Sequence, residues 1–207
     1  MNKVILILIG FLMSAIDINI KTGYDYPIYQ YSEQLGNTFQ SYVIQNIVGN
    51  NLVIDLLPDI IGFLCIFIGV TGLIEYRKII VKAYPFLAIC LAGSILRPIL
   101  PLLYDGAALA YGALIITFIS MISEIFMELF IITNIINITD AVQNKRNNIA
   151  VKVGWIISIS CKVIIYLTGF VGLDYLTVFY GAIYILSTVF YVIKLYSSRE
   201  YITSFES

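Results

Sequence analysis

Five apolar runs, each long enough to cross a lipid bilayer as a helix, constrain this chain more than any other feature. A helix needs about 20 apolar residues to cross a hydrocarbon core of about 30 Å. Charged residues make up 12% of the chain, against about 25% in soluble domains. The runs therefore predict an all-α, polytopic integral membrane protein. They cover residues 53–74, 83–104, 107–132, 153–173 and 175–196, and an extension of the 107–132 run to 138 is left open.

A sixth apolar run, 4–20, is less regular because Asp17 and Asn19 interrupt its second half. A cleaved signal peptide is the alternative interpretation, with Lys3 as its basic start. A large residue, Met13, stands where a cleavage site prefers a small one, so an uncleaved first span is favoured. The prediction is a single transmembrane domain, a bundle of six transmembrane helices.

The lysine and arginine residues of the connections indicate the orientation, because they concentrate on the cytoplasmic side of a membrane. With six spans, nine of them fall on the side that carries both termini, and only Lys21 falls on the other side. The distribution predicts cytoplasmic termini in a multi-pass protein of the cell membrane, such as a bacterial inner membrane. The nine residues are Lys3, Arg77, Lys78, Lys82, Lys145, Arg146, Lys152, Lys194 and Arg199.

The outer side has one long connection, residues 21–52. Apolar residues recur at every fourth position within 35–47, a spacing that predicts a short helix over about 32–48 on the membrane surface. Asp17 and Asp55 lie near the ends of this connection and could form an acidic outer mouth that gathers cations. The alternative is that the outer loops simply lack lysine and arginine.

Five charged side chains lie at least four residues from either end of their predicted span, at a depth where an ionised group needs a partner or water. They are Asp59, Arg97, Glu124, Glu128 and Lys162. A helical rise of about 1.5 Å per residue puts Arg97 roughly 10 Å below the outer boundary, at the depth of Asp59. The same arithmetic puts Lys162 near the depth of Glu124. We therefore predict two ion pairs, and we expect Glu128 to lie close enough to the inner surface to reach water.

Polar and small residues form a stripe on the fourth predicted span and another on the fifth. Each stripe steps by three or four residues, so its members share one face of a helix. Small residues let helices approach closely, which predicts that the two stripes face each other. The first consists of Thr117, Ser120, Glu124 and Glu128, and the second of Gly154, Ser158 and Lys162.

The start of the second predicted span carries a short motif, Leu-Pro-Asp-Ile-Ile-Gly-Phe, at 57–63. Pro58 and Asp59 suit a first helical turn, because proline lacks an amide and aspartate favours the positive helix end. The motif resembles a Leu-Pro-Asp-x-apolar-Gly-aromatic segment of uncharacterised small bacterial multi-spanning membrane proteins. The resemblance covers about a dozen residues and implies a class of membrane protein without an activity.

Residue types argue against most kinds of chemistry. The chain has no histidine, and its three cysteines lie in apolar runs without a C-x-x-C spacing. We predict no catalytic residue, metal site or cofactor, and we do not expect an enzyme. No basic surface large enough for nucleic acid is predicted.

Two functions fit these observations. The first is a small transport or solute-binding protein, whose ion-paired interior passes or holds a small solute, an ion or a proton. The alternative is a non-catalytic structural or regulatory subunit, which uses its charges to bind a membrane-protein partner or a second copy of itself. Polar residues on several spans at different depths favour the first. The lipid bilayer is a partner in both cases.

Overall fold

A computed structural model gives the fold and describes residues 3–15, 19–21, 53–55, 59–74, 78–103, 106–140, 145–171 and 173–198. The described residues form six α-helices, one 3₁₀ helix and one two-stranded ribbon. In chain order the elements are α1 (Lys3–Ala15), β1 (Asn19–Lys21), β2 (Val53–Asp55), α2 (Asp59–Leu73), the 3₁₀ helix (Lys78–Ala83), α3 (Tyr84–Leu103), α4 (Gly106–Asp140), α5 (Lys145–Val171) and α6 (Asp174–Ser197). The surface helix predicted over 32–48 lies outside the described residues.

Within the described part of the chain, four helices, α3 to α6, are long and apolar enough to cross a membrane. Helices α1 and α2 have 13 and 15 residues, which correspond to about 20 Å and 22 Å. Both are shorter than a hydrocarbon core of about 30 Å. The architecture is therefore that of a helical membrane protein with four long apolar helices and two short ones.

Short strands occur where helix was predicted, at the end of the first predicted span and at the start of the second. Strand β1 includes residues 19 and 20 of the predicted span 4–20, and β2 lies inside the predicted span 53–74, so the helical prediction is wrong at these residues. Both strands contain β-branched residues, which favour extended backbone. Pro58 disfavours helix in the residue before it, and α2 begins immediately after it, at Asp59. The antiparallel register pairs Asn19 with Asp55, Ile20 with Ile54 and Lys21 with Val53.

Helices α4 and α5 extend past the predicted apolar runs at the connection between them. Helix α4 continues to Asp140 and α5 begins at Lys145. The extension to 138 that the sequence leaves open lies within α4, whereas the first two turns of α5 are more polar and precede its predicted apolar run. At this connection the hydroxyl of Thr139 donates a hydrogen bond of 2.9 Å to the Oδ1 atom of Asn148. The bond joins the end of α4 to the start of α5 with buried polar groups satisfied.

The six helices pack as three consecutive antiparallel pairs, α1 with α2, α3 with α4, and α5 with α6. The pairs contact one another through α1 with α6, α2 with α3, and α4 with α5. The helices therefore close a ring in the order α4, α3, α2, α1, α6, α5.

The largest buried apolar cluster of the described residues occupies one end of the bundle that these helices form. That end holds the start of α1 and the end of α6, and we name it the terminal end. There the ring of Phe11 lies edge-on to that of Tyr191, with centroids 6.2 Å apart. A separate small cluster, Leu100 with Ala113, lies toward the opposite end, named the far end. Among the residues whose burial is described, the apolar core therefore concentrates at the terminal end.

Glycines set the contact between α1 and α2. A Cβ atom added to Gly10 would lie 2.6 Å from the carbonyl oxygen of Gly62 and would overlap Ile66. A Cβ atom on Gly69 would lie 2.7 Å from the carbonyl oxygen of Lys3. Because real Cβ atoms do not approach backbone oxygens so closely, the two helices can lie this near only with glycine at these positions.

Candidate functional site

Three ionisable side chains from α4 and α5 meet inside the bundle, and we name them the ion cluster: Glu124, Glu128 and Lys162. Lys162 Nζ lies 2.5 Å from Glu124 Oε1 and 4.0 Å from Glu128 Oε1. The pair of Lys162 with Glu124 is the one that depth arithmetic predicts. The side chain of Glu128 is only 6% exposed, so the cluster includes a buried carboxylate.

Glu128 also accepts a hydrogen bond from a second residue of α5. The indole Nε1 of Trp155, on α5, donates a hydrogen bond of 2.9 Å to Glu128 Oε2. The expectation that Glu128 reaches water near the inner surface is therefore wrong. The expectation came from the depth of Glu128 below the outer boundary, whereas α4 continues to Asp140, about 18 Å beyond Glu128. This length of helix keeps the carboxylate within the bundle.

Helix α6 completes the surroundings of Lys162. Its ammonium group lies 5.3 Å from the centre of the Tyr184 ring, a distance at which a cation is attracted to an aromatic face. Three helices, α4, α5 and α6, thus define the position of this one ammonium group.

The second predicted ion pair lies between α2 and α3. Arg97 Nη1 is 3.7 Å from Asp59 Oδ2, and both side chains are 32% exposed. Asp59 is in the first turn of α2, where a carboxylate also faces the positive end of the helix. Arg97 Nε is buried and has no hydrogen-bond partner among the described residues. The pair is looser and more open than the ion cluster.

Two hydroxyl groups lie on α4 between these two groups of charges. Thr117 Oγ1 and Ser120 Oγ are buried and lack hydrogen-bond partners among the described residues. Ser120 faces α3 where Gly93 has no side chain, since a Cβ atom on Gly93 would overlap the Ser120 hydroxyl. Buried hydroxyls are normally satisfied by protein or ordered water. These two are therefore candidates for contact with water or solute.

The predicted stripe on α5 does not face α4 along its whole length. Gly154 packs against Phe190 on α6, and Ser158 Oγ lies 2.9 Å from Thr188 Oγ1 on the same helix. The expectation of a tight contact with α4 is therefore wrong for these two residues. The small residues allow α5 and α6 to pack closely, whereas the long side chain of Lys162 reaches α4.

The remaining predicted site residues belong to the acidic outer mouth. Asp17 lies outside the described residues. Asp55 ends strand β2, where its backbone pairs with Asn19. Within the described ranges, no three side chains of the types histidine, cysteine, aspartate and glutamate are grouped closely enough to hold a metal ion.

Sequence reasoning missed two aromatic members of the site, Trp155 and Tyr184. A signal for Trp155 was present, because it precedes Lys162 by seven residues and so lies two turns away on the same face of α5. The position of Tyr184 depends on how α6 packs against α5, which the sequence does not express.

Comparison with protein-family models, curated proteins and solved structures finds no match to the chain. The resemblance of segment 57–63 to small bacterial membrane proteins stays a prediction. The function is therefore inferred from the geometry of the ion cluster and its surroundings.

Proposed function

We propose that this chain is a small transport or solute-binding protein of a cell membrane, with six spans and both termini in the cytoplasm. The ion cluster is the observation that carries the proposal. It puts two carboxylates and one ammonium group inside a bundle whose helices suit a bilayer. Ionised groups at membrane depth are expensive and are commonly retained for ion or solute pathways.

The strand ribbon supports the six-span arrangement. Each of α1 and α2 is about 20 Å long, and a strand of three residues adds about 10 Å. Together they match a hydrocarbon core of about 30 Å. Pairing β1 with β2 satisfies the backbone groups on their two facing edges only, so their outer edges require protein or water around them in a bilayer. The positive charges on the side of the termini support the same topology.

Polar groups that lack partners favour transport or binding over a purely structural role. A structural ion pair is stable when its surroundings satisfy every polar group. Here Arg97 Nε, Thr117 Oγ1 and Ser120 Oγ have no partner in the described part of the chain. They occur on the two helices that lead from the outer ion pair toward Glu124. This arrangement favours a polar path that water or solute enters.

The distribution of apolar residues gives the path a direction. The main apolar cluster closes the terminal end of the bundle. Arg97, Thr117 and Ser120 all lie nearer the far end than the ion cluster does. We therefore propose that the path opens at the far end and stops at the ion cluster.

Reactivity of introduced cysteines tests whether this path is wet. Starting from a chain with Cys65, Cys90 and Cys161 replaced by alanine, Thr117→Cys is compared with Ile119→Cys in proteoliposomes. The native side chain of Ile119 is 46% exposed and faces the lipid side of α4. A charged, membrane-impermeant thiosulfonate needs a hydrated thiolate, so the cysteine at 117 should react roughly tenfold faster or more.

Equal, slow reaction at both positions would contradict the proposal. A sealed network of this kind is what a structural or regulatory subunit would have. A membrane-permeant maleimide provides the control, because it must modify both variants after denaturation. Unchanged elution in size-exclusion chromatography establishes that each variant is folded.

A further inference from the structure

The charges of the ion cluster do not balance. Glu124 and Glu128 contribute two negative charges when both are ionised, and Lys162 contributes one positive charge, so the net charge is 1 − 2 = −1. The outer pair, Asp59 with Arg97, is neutral by itself. An uncompensated charge in a low-dielectric interior is strongly unfavourable. The cluster therefore needs one more positive charge.

Among the residues that the structure describes, the groups around Glu128 do not supply this charge. Trp155 donates a hydrogen bond but is neutral. Tyrosine and cysteine side chains add no positive charge in either protonation state. The 3₁₀ helix packs against α4 and carries Lys82, which is exposed. The titratable groups that interact with the cluster are Cys90 from α3, Tyr184 and Tyr191 from α6, and the cluster's own Glu124 and Lys162.

We propose that Glu128 is a proton-binding site, which holds one exchangeable proton beside the ion pair of Glu124 with Lys162. Binding transfers H⁺ from water to the Glu128 carboxylate and gives a neutral carboxylic acid, and release returns H⁺ to water. The proton is assigned to Glu128 because its carboxylate lies 4.0 Å from the Lys162 ammonium group, whereas Glu124 lies 2.5 Å from that group and forms the ion pair. The proton makes the cluster neutral.

Ser120 supplies a second observation that points to exchange with water. It is 7% exposed, and its hydroxyl has no hydrogen-bond partner among the described residues. It lies one turn from Glu124 on the same face of α4, on the side of the far end. A hydroxyl in this position is satisfied by a water molecule that adjoins the cluster. The inference rests on the proposed function for this route of proton access.

A proton fits the site better than a metal ion. Lys162 Nζ lies within 4.0 Å of both carboxylates, where a metal ion bridging them would have to bind. Trp155 directs an N–H donor at Glu128 Oε2, and a donor cannot serve as a metal ligand. The facing groups thus offer donors to the carboxylates and leave a proton as the smallest compensating charge.

Trp155 makes the protonation of Glu128 directly measurable, because it is the only tryptophan in the chain. The tryptophan fluorescence emission of the purified protein in lipid nanodiscs is recorded between about pH 5 and about pH 9. Wild type should show one transition that fits one proton. Glu128→Gln should lose the transition and keep the emission of the acid form, since glutamine mimics the neutral acid.

A variant of the neighbouring carboxylate tests the charge balance. Glu124→Gln leaves one carboxylate with one ammonium group, so Glu128 should stay ionised to lower pH. The midpoint of the emission change should fall by about one pH unit or more. Lys152→Gln, which removes an exposed charge three residues from Trp155, is the matched control and should leave the midpoint unchanged. A transition that survives in Glu128→Gln would overturn the proposal.

Two further measurements keep the test decisive. Sodium or potassium chloride added at fixed pH should not change the emission, and a saturable response to either cation would replace the proton with a metal ion. Infrared difference spectra of wild type should show the loss of one protonated carboxyl group as the pH rises through the transition. If this signal is absent, the proposal is overturned without any variant. If the fluorescence and infrared measurements fail while the cysteine at 117 is reactive, the proton site is rejected and the water-accessible path is retained.

Discussion

At the scale of single residues, Lys162 determines the geometry of the site. Its ammonium group lies within reach of two carboxylates on α4 and of the Tyr184 ring on α6. Removing one partner of a buried ion pair leaves an uncompensated charge, which destabilises a protein far more than the loss of a surface pair. The stability of the bundle should therefore depend on the sign of the charge at this position.

Exchanging the charges of Lys162 and Glu124 tests this dependence. Lys162→Glu and Glu124→Lys should each lower the free energy of unfolding by about 3–5 kcal/mol. The double variant restores one cation beside two carboxylates and should recover most of the loss. Thermal unfolding in detergent, followed by circular dichroism, measures the effect. Lys152→Glu on the exposed face of α5 should change stability by less than about 0.5 kcal/mol. A double variant no more stable than either single one would contradict the pairing.

Part of this residue-scale geometry follows from the sequence. A constant rise per residue is enough to bring Lys162 level with Glu124 and Arg97 level with Asp59. The environment of Glu128 does not follow, because it depends on where α4 leaves the membrane. Hydropathy marks the end of an apolar run, and α4 continues beyond it.

At the scale of elements, the α1–α2 pair and the α5–α6 pair use small residues in the same way. Gly10 and Gly69 admit the backbone of the neighbouring helix, and Gly154 admits Phe190. The sequence indicates such contacts through the spacing of small residues, but it does not say which neighbour they admit. The stripe on α5 faces two helices at once for this reason.

Alanine substitutions at two glycines separate packing from helix propensity. Gly10→Ala puts a Cβ atom against Ile66 and the backbone of Gly62, and should destabilise the protein by about 1–3 kcal/mol. Gly181 on α6 is the matched control, because a Cβ atom there meets nothing within 4 Å. Gly181→Ala should be neutral or stabilise by up to about 1 kcal/mol. Thermal unfolding compares the two, and equal effects would contradict a close α1–α2 contact.

At the scale of the whole molecule, the described side chains are unequally buried along the bundle. The described apolar core lies at the terminal end, and the unpartnered polar groups lie between the ion cluster and the far end. Composition and hydropathy predict a membrane protein with a charged interior. They do not predict this inequality, because it depends on which face each helix turns toward its neighbours in the ring.

The central claim is that water reaches the polar network from the far end and is excluded at the terminal end. The most direct measurement is labelling of Thr117→Cys, in the cysteine-free background, with an impermeant thiosulfonate from each side of the membrane in turn. Tyr175→Cys, at the far end and 91% exposed in the native chain, and Arg146→Cys, at the terminal end, provide the references for the two sides.

The cysteine at 117 should be labelled from the same side as the cysteine at 175. If both termini are cytoplasmic, this is the outer side, which the reagent reaches in right-side-out vesicles. It should stay unlabelled from the side that modifies the cysteine at 146. Labelling from the side of position 146, or from neither side, would contradict the account.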